Sequence, residues 1–381
     1  MDSLFICPIC GNNDLNKTGI INGKRYCRVC VKFSHLNKID NKTEIKGYKY
    51  YLSYDLSVEQ KELSIRLISN FKNGINTLVH AVCGSGKTEI VVPLISYALK
   101  HKMNVAFAIP RKDVVIEIFN RLSNIFLDNK IIAIYGGHTQ ETNGDIICLT
   151  THQLYRYKAY FDLIIMDEVD AFPFKNNQLL NSMFFKSLRG HYILLSATPD
   201  EELLSSFSKK GYEILKLNKR YHGFPLPVPT FIKRLKPFNY FYLIKILKQF
   251  KKEDKKCFIF CPTIDKCEFV YKFLKLFFKN IKCVHSKKEK RNVIIQNFKD
   301  GLFPFLITTS VLERGVTVRD LQVVVFDSDH NLFDRYSLEQ ISGRVGRKKD
   351  APDGKVILIG EEENNEIVEC IKSIKNKNKN L

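Results

Sequence analysis

The segment Ala81-Val82-Cys83-Gly84-Ser85-Gly86-Lys87-Thr88 decides the fold, because it joins an apolar run to an amphipathic stretch of helical length. The apolar run, Asn76 to Ala81, predicts a buried strand. The segment follows the phosphate-loop pattern G-x-x-x-x-G-K-[ST], with Ala81 in place of the first glycine. Gly84 and Gly86 would let backbone N–H groups curl around phosphates, and the helix N-terminus would add partial positive charge.

The polar residues of this segment predict an ATP site. Lys87 would reach the β- and γ-phosphates, and Thr88 would ligate magnesium. Gly84, Ser85 and Gly86 belong to the candidate cofactor-binding set with Lys87 and Thr88. A chance glycine turn before a helix is the alternative, and the order strand, loop, Lys-Thr and helix argues against it.

A second candidate motif, Asp167-Glu168-Val169-Asp170, follows the apolar strand Leu163 to Met166. A nucleotide motor needs a further magnesium ligand and a group that orients the attacking water. Asp167 at the strand end is placed for magnesium, and Glu168 is the candidate base. A solvated acidic turn is the alternative, but its position after a buried strand and downstream of a phosphate loop argues against it.

Short apolar runs alternate with segments of helical length along most of the chain, which predicts an α/β fold with mostly parallel sheets. Phe224 to Pro229 carries three prolines at alternate positions, which favours an extended linker. The predicted domains are a four-cysteine module at 1–45, an ATP-binding domain at 46–224, a second α/β domain at 225–370 and a solvated basic tail at 371–381.

Composition limits the class of protein. The 381 residues carry 60 Lys and Arg against 40 Asp and Glu, a formal charge of +20. Such an excess favours a polyanionic partner, although a bias toward AT-rich codons would explain part of it. No apolar run approaches the ~18 residues of a membrane span, and the N-terminal stretch does not resemble a signal peptide. We expect a cytoplasmic protein.

Four of the 11 cysteines form two C-x-x-C pairs with sixteen residues between them: Cys7, Cys10, Cys27 and Cys30. Each pair can supply two soft ligands to a tetrahedral zinc. With all four positions filled by protein, the zinc would be structural. A redox pair is the alternative. The module would either grip DNA or dock a protein partner.

The segment Gln340-Ile341-Ser342-Gly343-Arg344-Val345-Gly346-Arg347 suggests a source of positive charge for the γ-phosphate. Arg344 and Arg347 are three residues apart, so on a helix they would share one face. Arg347 is the preferred arginine finger, and Arg344 the alternative or a bridge to the carboxylates. A basic surface helix is the alternative. Gly343 and Gly346 argue against it, because glycine disfavours a helix.

At these motifs the sequence resembles helicase superfamily 2, over about Gln60 to Arg347. The resemblance implies two tandem RecA-like domains. It implies that Gln60 reads adenine, that Gln340 joins the catalytic group and that Gly315 lies at the nucleotide. It also implies that Ser196 and Thr198 couple hydrolysis to domain movement. It further implies nucleic-acid contacts at Arg111, Thr151, Thr263 and Thr309.

A closer resemblance is to the ComFA family of DNA-uptake ATPases. It is carried by Asp167 to Phe174, Arg220 to Pro227 and Leu312 to Thr317. It implies a zinc site in the N-terminal segment, protein partners in the uptake machinery and a position at the inner face of the membrane. Many superfamily 2 proteins carry an aspartate near position Thr317, and its absence leaves that residue's usual role unassigned here.

These patterns together predict an ATP-dependent translocase, stimulated by single-stranded DNA, that drives uptake of transforming DNA. A primosomal or repair-type DNA helicase and an RNA helicase stay open as alternatives. A nucleic-acid-binding scaffold without catalysis is the non-enzymatic alternative. It is opposed by the intact catalytic residues Lys87, Asp167, Glu168, Gln340 and Arg347.

Overall fold

The structure, a computed structural model, describes residues 5–7, 11–30, 47–169, 177–309 and 318–379. The chain divides into two units. Unit 1 is Met1–Ala81 with Gly86–Leu217, and unit 2 is Val82–Ser85 with Asn218–Leu381.

Unit 1 begins with a small hairpin and continues as a parallel α/β domain. Its strands are β1 Thr18–Ile21, β2 Lys24–Cys27, β3 Thr77–Ala81, β4 Val105–Ile109, β5 Ile131–Ile134, β6 Ile146–Thr150, β7 Phe161–Asp167, β8 Leu188–Ser196 and β9 Glu213–Leu217. Its helices are α1 Val58–Lys72, α2 Lys87–Lys100, α3 Lys112–Ile125, α4 Gln178–Ser187 and α5 Glu201–Lys209.

The main sheet of unit 1 has the order β5-β6-β4-β7-β8-β3-β9 among the described residues. Every pairing between neighbouring strands of this sheet is parallel. β4 and β6 are buried along their whole length, as continuous apolar runs of a sheet covered on both faces should be. Separate apolar clusters pack on the two faces of the sheet.

Unit 2 repeats the plan. Its strands are β10 Thr230–Lys233, β11 Lys256–Phe260, β12 Ile281–Val284, β13 Phe305–Thr308, β14 Leu321–Phe326 and β15 Val356–Gly360. Its helices are α6 Phe238–Lys252, α7 Ile264–Lys275, α8 Arg291–Lys299, α9 Arg335–Ser342 and α10 Asn365–Lys379. The sheet order is β10-β15-β14-β11-β13-β12, and all of its strand pairs are parallel. The prediction of two parallel α/β domains is confirmed.

The boundary between the units differs from the predicted one after residue 224. It falls between Leu217, the last residue of β9, and Asn218. The proline-rich stretch therefore lies inside unit 2. The reason is Arg220, whose side chain donates hydrogen bonds to backbone carbonyls at 345 and 346 and so ties its segment to unit 2.

The C-terminal tail also differs from its prediction. A solvated segment was expected from residue 371, but α10 continues to Lys379 and buries Ile374. Lys377 in its last turn forms an ion pair with Glu339 of α9. The lysines of this segment lie mainly on the outer face of an amphipathic helix, which a composition count cannot distinguish from a frayed tail.

No helix in the described ranges is long and apolar enough to cross a bilayer.

Candidate functional site

The carboxyl ends of β3, β7 and β8 bring the predicted catalytic residues of unit 1 to one edge of the sheet. In the strand register His80 pairs with Ser196, and Asp167 pairs with Leu195. Parallel strands present all their carboxyl ends at the same edge, where ligands of open α/β sheets bind. The motifs that are distant in sequence therefore converge.

Gly86 shapes the start of α2. It is the N-cap of the helix and has a φ of 79°, in the left-handed region that favours glycine. A Cβ placed there would lie 2.6 Å from Nε2 of Gln60. The backbone before Lys87 is thus held close to α1, and the N–H groups of the first turn of α2 remain available for an anion.

Lys87 and Asp167 face each other across this site. Nζ of Lys87 lies 3.8 Å from Oδ1 of Asp167, and both side chains are largely shielded from solvent. A phosphate chain and its metal would replace this ion pair, with the Lys87 ammonium binding the phosphates and the Asp167 carboxylate the metal.

Thr88 is buried in the first turn of α2, and its Oγ1 accepts a hydrogen bond of 3.2 Å from Nη1 of Arg121. Arg121 also forms an ion pair with Glu89, at 3.3 Å. The Thr88 hydroxyl and the Asp167 carboxylate are hard oxygen donors, which fit magnesium.

Glu168 has an unusual backbone. Its φ is 56°, and its N–H donates to Oδ1 of Asp167 at 2.8 Å. Non-glycine residues in this region carry strain that is often found at functional sites. The tight turn at the end of β7 holds Asp167 and Glu168 in fixed positions relative to each other.

Gln60 has a structural role in addition to the predicted one. Ser57 is the N-cap of α1, its N–H donates to Oε1 of Gln60, and its Oγ accepts from the Gln60 N–H, forming a capping box. The amide nitrogen of Gln60 faces Gly86. Gln60 therefore connects the start of α1 to the phosphate loop.

Ser196 and Thr198 lie at the end of β8, both buried. Oγ of Ser196 accepts a hydrogen bond from the Thr198 N–H at 3.1 Å. This closes the turn at the strand end, beside the strand that carries Asp167.

The predicted shared helical face of Arg344 and Arg347 is wrong. α9 ends at Ser342, with Gly343 as its C-cap, and Gly346 has a φ of 66°. The two arginines lie on the turns that follow the helix. Arg344 is almost fully buried, and Nε of Arg347 donates to the Gly343 carbonyl at 2.9 Å. Gln340 lies within α9 and is also buried.

Arg220 is a residue that the sequence analysis did not single out as a site. Its Nη1 donates to the Gly346 carbonyl at 2.7 Å and its Nη2 to the Val345 carbonyl at 2.9 Å. Burial lowers the pKa of the Arg220 guanidinium to about 10, and the charge of Arg347 adds to the shift. The Arg-Tyr-His-Gly motif that begins at Arg220 could have pointed to this residue. A local sequence pattern cannot, however, predict a hydrogen bond to carbonyls more than 100 residues away in the chain.

His222 reinforces the same turn. The Phe224 N–H donates to Nδ1 of His222, so Nε2 carries the proton and donates to the Gly346 carbonyl at 3.0 Å. Burial lowers the pKa of His222. The neighbouring Tyr221 donates its N–H to the Gly84 carbonyl at 3.1 Å.

The four predicted nucleic-acid contacts, Arg111, Thr151, Thr263 and Thr309, each follow the carboxyl end of a strand. Arg111 and Thr263 are half-buried and cap α3 and α7. Thr151 and Thr309 are buried. Direct contact between these two hydroxyls and a ligand would therefore require local opening.

In the N-terminal segment three of the four predicted zinc ligands converge. The sulfur atoms of Cys7, Cys27 and Cys30 all lie within 4.8 Å of one another, and all three residues are buried. The Cys7 carbonyl accepts a hydrogen bond from Nζ of Lys186 in α4. Cys10 lies outside the described residues, as does Gly315. Three close thiols fit the donor set that zinc prefers.

Comparison with protein families gives two matches. The helicase conserved C-terminal domain matches residues 240–349, and the res subunit of type III restriction enzymes matches residues 53–201.

Known sequences resemble the chain along most of its length. Competence protein ComFA of Bacillus subtilis (strain 168) is 33% identical over 98% of this chain and 86% of that protein. Competence protein ComFA of Streptococcus pneumoniae (strain ATCC BAA-255 / R6) is 33% identical over 98% of this chain and 90% of that protein. The ATP-dependent DNA helicase RecG of Staphylococcus aureus (strain Mu50 / ATCC 700699) is 25% identical over 80% of this chain and 48% of that protein.

Solved structures share the fold. S. cerevisiae Dbp5 bound to RNA and ADP BeF3 superimposes with a TM-score of 0.64 at 14% identity, covering 86% of this chain and 92% of that one. RecG bound to a three-way DNA junction gives a TM-score of 0.60 at 18% identity, covering 86% of this chain and 47% of that one.

Proposed function

This chain belongs to the ComFA family of superfamily 2 helicases and is an ATP-hydrolysing enzyme of the helicase type, and we propose that it is a translocase, stimulated by single-stranded DNA, that drives uptake of transforming DNA. The observation that carries the proposal is the convergence of Lys87, Thr88 and Asp167 at one sheet edge, in a chain similar to ComFA along nearly its whole length.

The proposed nucleotide chemistry is supported by the geometry around β3, β7 and the start of α2. Lys87 binds the β- and γ-phosphates, and Thr88 and Asp167 would hold Mg²⁺, which when bound neutralises charge on the phosphate oxygens. Glu168 orients the attacking water and accepts its proton. Gln60 recognises adenine, with Gly84, Ser85 and Gly86 lining the phosphates.

Unit 2 contains the other residues to which we assign catalytic roles. Arg347 provides the arginine finger, Arg344 and Gln340 support it, and Gly315 lies near the nucleotide. Ser196 and Thr198 couple hydrolysis to movement between the units. Neither unit contains both the phosphate-binding lysine and the finger, so we expect either unit alone to hydrolyse ATP poorly.

The remaining assignments concern the ligands and the location. Single-stranded DNA would contact Arg111 and Thr263 first, with Thr151 and Thr309 reached on opening. Zinc would be bound by Cys7, Cys10, Cys27 and Cys30 as a structural ion. We place the protein in the cytoplasm, at the inner face of the membrane, with partners in the DNA-uptake machinery. The family name of its relatives supports a role in competence.

The proposal is tested by the ATPase rate of the full chain alone, with single-stranded DNA, with duplex DNA and with RNA. We expect strong stimulation by single-stranded DNA. In Lys87→Ala, removal of the cation at the phosphates should reduce the stimulated rate by about 10² or more, as for other preorganised charge contacts.

Lys100→Ala is the matched control, because Lys100 is exposed at the end of the same helix. It should retain the rate of the unmodified chain. Stimulation by RNA alone would overturn the DNA-uptake role in favour of an RNA helicase. Binding of DNA with no ATPase activity under any condition would favour the scaffold.

A further inference from the structure

A second cluster of side chains of the types that bind metals lies in unit 2, where α7 packs on β12. β12 is an edge strand of the sheet, next to β13. Glu268 and Cys267 are adjacent in α7, and Cys283 in β12 is followed by His285 just beyond the strand end.

The donor atoms of three of these residues are close enough to share one ion. A carboxylate oxygen of Glu268, Sγ of Cys283 and a ring nitrogen of His285 all lie within 4.8 Å of one another. His285 Nε2 is 2.8 Å from Glu268 Oε1. Cys283 and His285 are buried, while the Glu268 side chain is 29% exposed and gives the group access to solvent.

We propose that Glu268, Cys283 and His285 form a second zinc site, distinct from the N-terminal cysteines, with its fourth position open to water. A thiolate, an imidazole and a carboxylate are the three side-chain types that zinc binds in proteins, and three protein ligands leave one coordination position open. Magnesium and calcium, which prefer oxygen ligands only, do not fit this set.

The separations suit the ion after a small adjustment. Tetrahedral zinc with bonds of about 2.0 to 2.3 Å places its donor atoms roughly 3.5 Å apart. The direct hydrogen bond between His285 and Glu268 is shorter than that, so zinc would enter by replacing it. The ligand atom would then be Nε2 of His285, the ring nitrogen that lies beside Glu268.

Lys288 is the cation that zinc would have to displace. Its Nζ lies 2.7 Å from Glu268 Oε1, and its side chain is 36% exposed. An ion pair this exposed contributes little stability. Lys288 can therefore move into solvent when the ion binds.

The bound ion would connect α7 to the edge strand. α7 begins directly after Thr263, a proposed nucleic-acid contact. A metal bond between the helix and β12 would stabilise unit 2, because an ion that binds only the folded state raises its stability by mass action.

Cys267 supplies a matched control. Its sulfur lies 3.2 Å from that of Cys283, so it is buried in the same surroundings and has the same chemistry. It is outside the group of three whose donor atoms are mutually close. Cys267→Ser should therefore retain the ion, and Cys283→Ser should lose it.

The test uses the full chain, stripped with a chelator and reloaded with zinc alone. Zinc per chain is measured by mass spectrometry after gel filtration, and affinity by competition with a coloured chelator. Relative to the unmodified chain, Cys283→Ser and His285→Gln should lose one equivalent or bind it at least about tenfold more weakly. Lys288→Met should bind it more tightly, because the competing charge is gone. Zinc-dependent thermal stabilisation should follow the same order.

Cys27→Ser separates the two sites, since it affects only the N-terminal cysteines. The proposal is overturned if Cys283→Ser and His285→Gln bind as much zinc as the unmodified chain, with unchanged affinity. It is equally overturned if Cys267→Ser loses the same equivalent as Cys283→Ser. Neither result depends on ATPase activity or on DNA, so the proposed function is tested separately.

Discussion

At the scale of single residues, the phosphate loop depends on a glycine whose backbone and surroundings both exclude a side chain. Gly86 has a φ of 79°, and a Cβ there would meet the Gln60 amide at 2.6 Å. Two separate costs would follow from a substitution. The left-handed backbone costs a non-glycine residue about 1 kcal/mol, and the steric conflict would displace either Gln60 or the loop.

Gly86→Ala is therefore expected to lose most of its ATPase activity as well as some stability. The control is Gly211→Ala, since Gly211 has a φ of 69° and no neighbouring atom within 4 Å of the added Cβ. Both variants should unfold at lower denaturant concentration, Gly86→Ala by more than Gly211→Ala because the steric conflict adds to the backbone cost. Only Gly86→Ala should fail to bind nucleotide, measured by fluorescence titration. Equal nucleotide affinity in the two variants would contradict the steric argument.

The sequence alone predicts the role of Gly86 but not its contact with Gln60. The phosphate-loop pattern identifies Gly86, Lys87 and Thr88 because local chemistry determines their spacing. The capping box of Gln60 with Ser57 is also a local signal. The approach of the Gln60 amide to Gly86 depends on how α1 packs, which no short pattern contains.

At the scale of elements, the turn after α9 is held by a buried arginine from a distant segment. Arg220 donates to the carbonyls of Val345 and Gly346 and has only 3% of its surface exposed. A buried charge is retained only when its hydrogen bonds are made. The turn that presents Arg347 is thus fixed by Arg220 rather than by helix geometry.

Replacement of this arginine should destabilise unit 2. Arg220→Met removes two charge-assisted hydrogen bonds and leaves buried carbonyls, so we expect a loss of about 2 kcal/mol in the free energy of unfolding. Urea denaturation followed by circular dichroism measures it. Lys216→Met, at an exposed position in β9, removes the same charge and should change stability by less than about 0.5 kcal/mol. A similar loss in both variants would rule out this role for Arg220.

The incorrect predictions also concern elements, namely where α9 and α10 end. The strands and their order along the chain can be predicted from apolar runs, because strands buried on both faces consist mainly of apolar residues. The end of α9 at Ser342 depends on Gly343 and Gly346 adopting turn conformations, and the continuation of α10 to Lys379 depends on packing of Ile374. Element boundaries are set by such tertiary interactions, which local patterns do not record.

At the scale of the whole molecule, the formal charge of +20 strengthens DNA binding only where the basic side chains contact the DNA. The segment Ser286 to Lys290 follows the carboxyl end of β12, at the sheet edge that also carries Thr263 and Thr309. Lys287 and Lys290 are exposed there. By contrast, Lys251 and Lys252 end α6, and a helix that precedes a parallel strand ends at the opposite edge of the sheet.

Salt dependence distinguishes a DNA path at the first edge from a general basic surface. For a single strand, the logarithm of affinity falls with the logarithm of salt by about 0.7 per phosphate neutralised, so five contacts would cost about 100-fold between 50 and 200 mM. Lys287→Ala with Lys290→Ala should reduce that slope by about 1.4. Lys251→Ala with Lys252→Ala makes the same charge change and should leave the slope unchanged. Fluorescence anisotropy with a labelled oligonucleotide measures both. Equal reductions in the two double variants would mean that the charge acts as a diffuse field, and a salt-independent affinity would remove backbone binding from the proposed function.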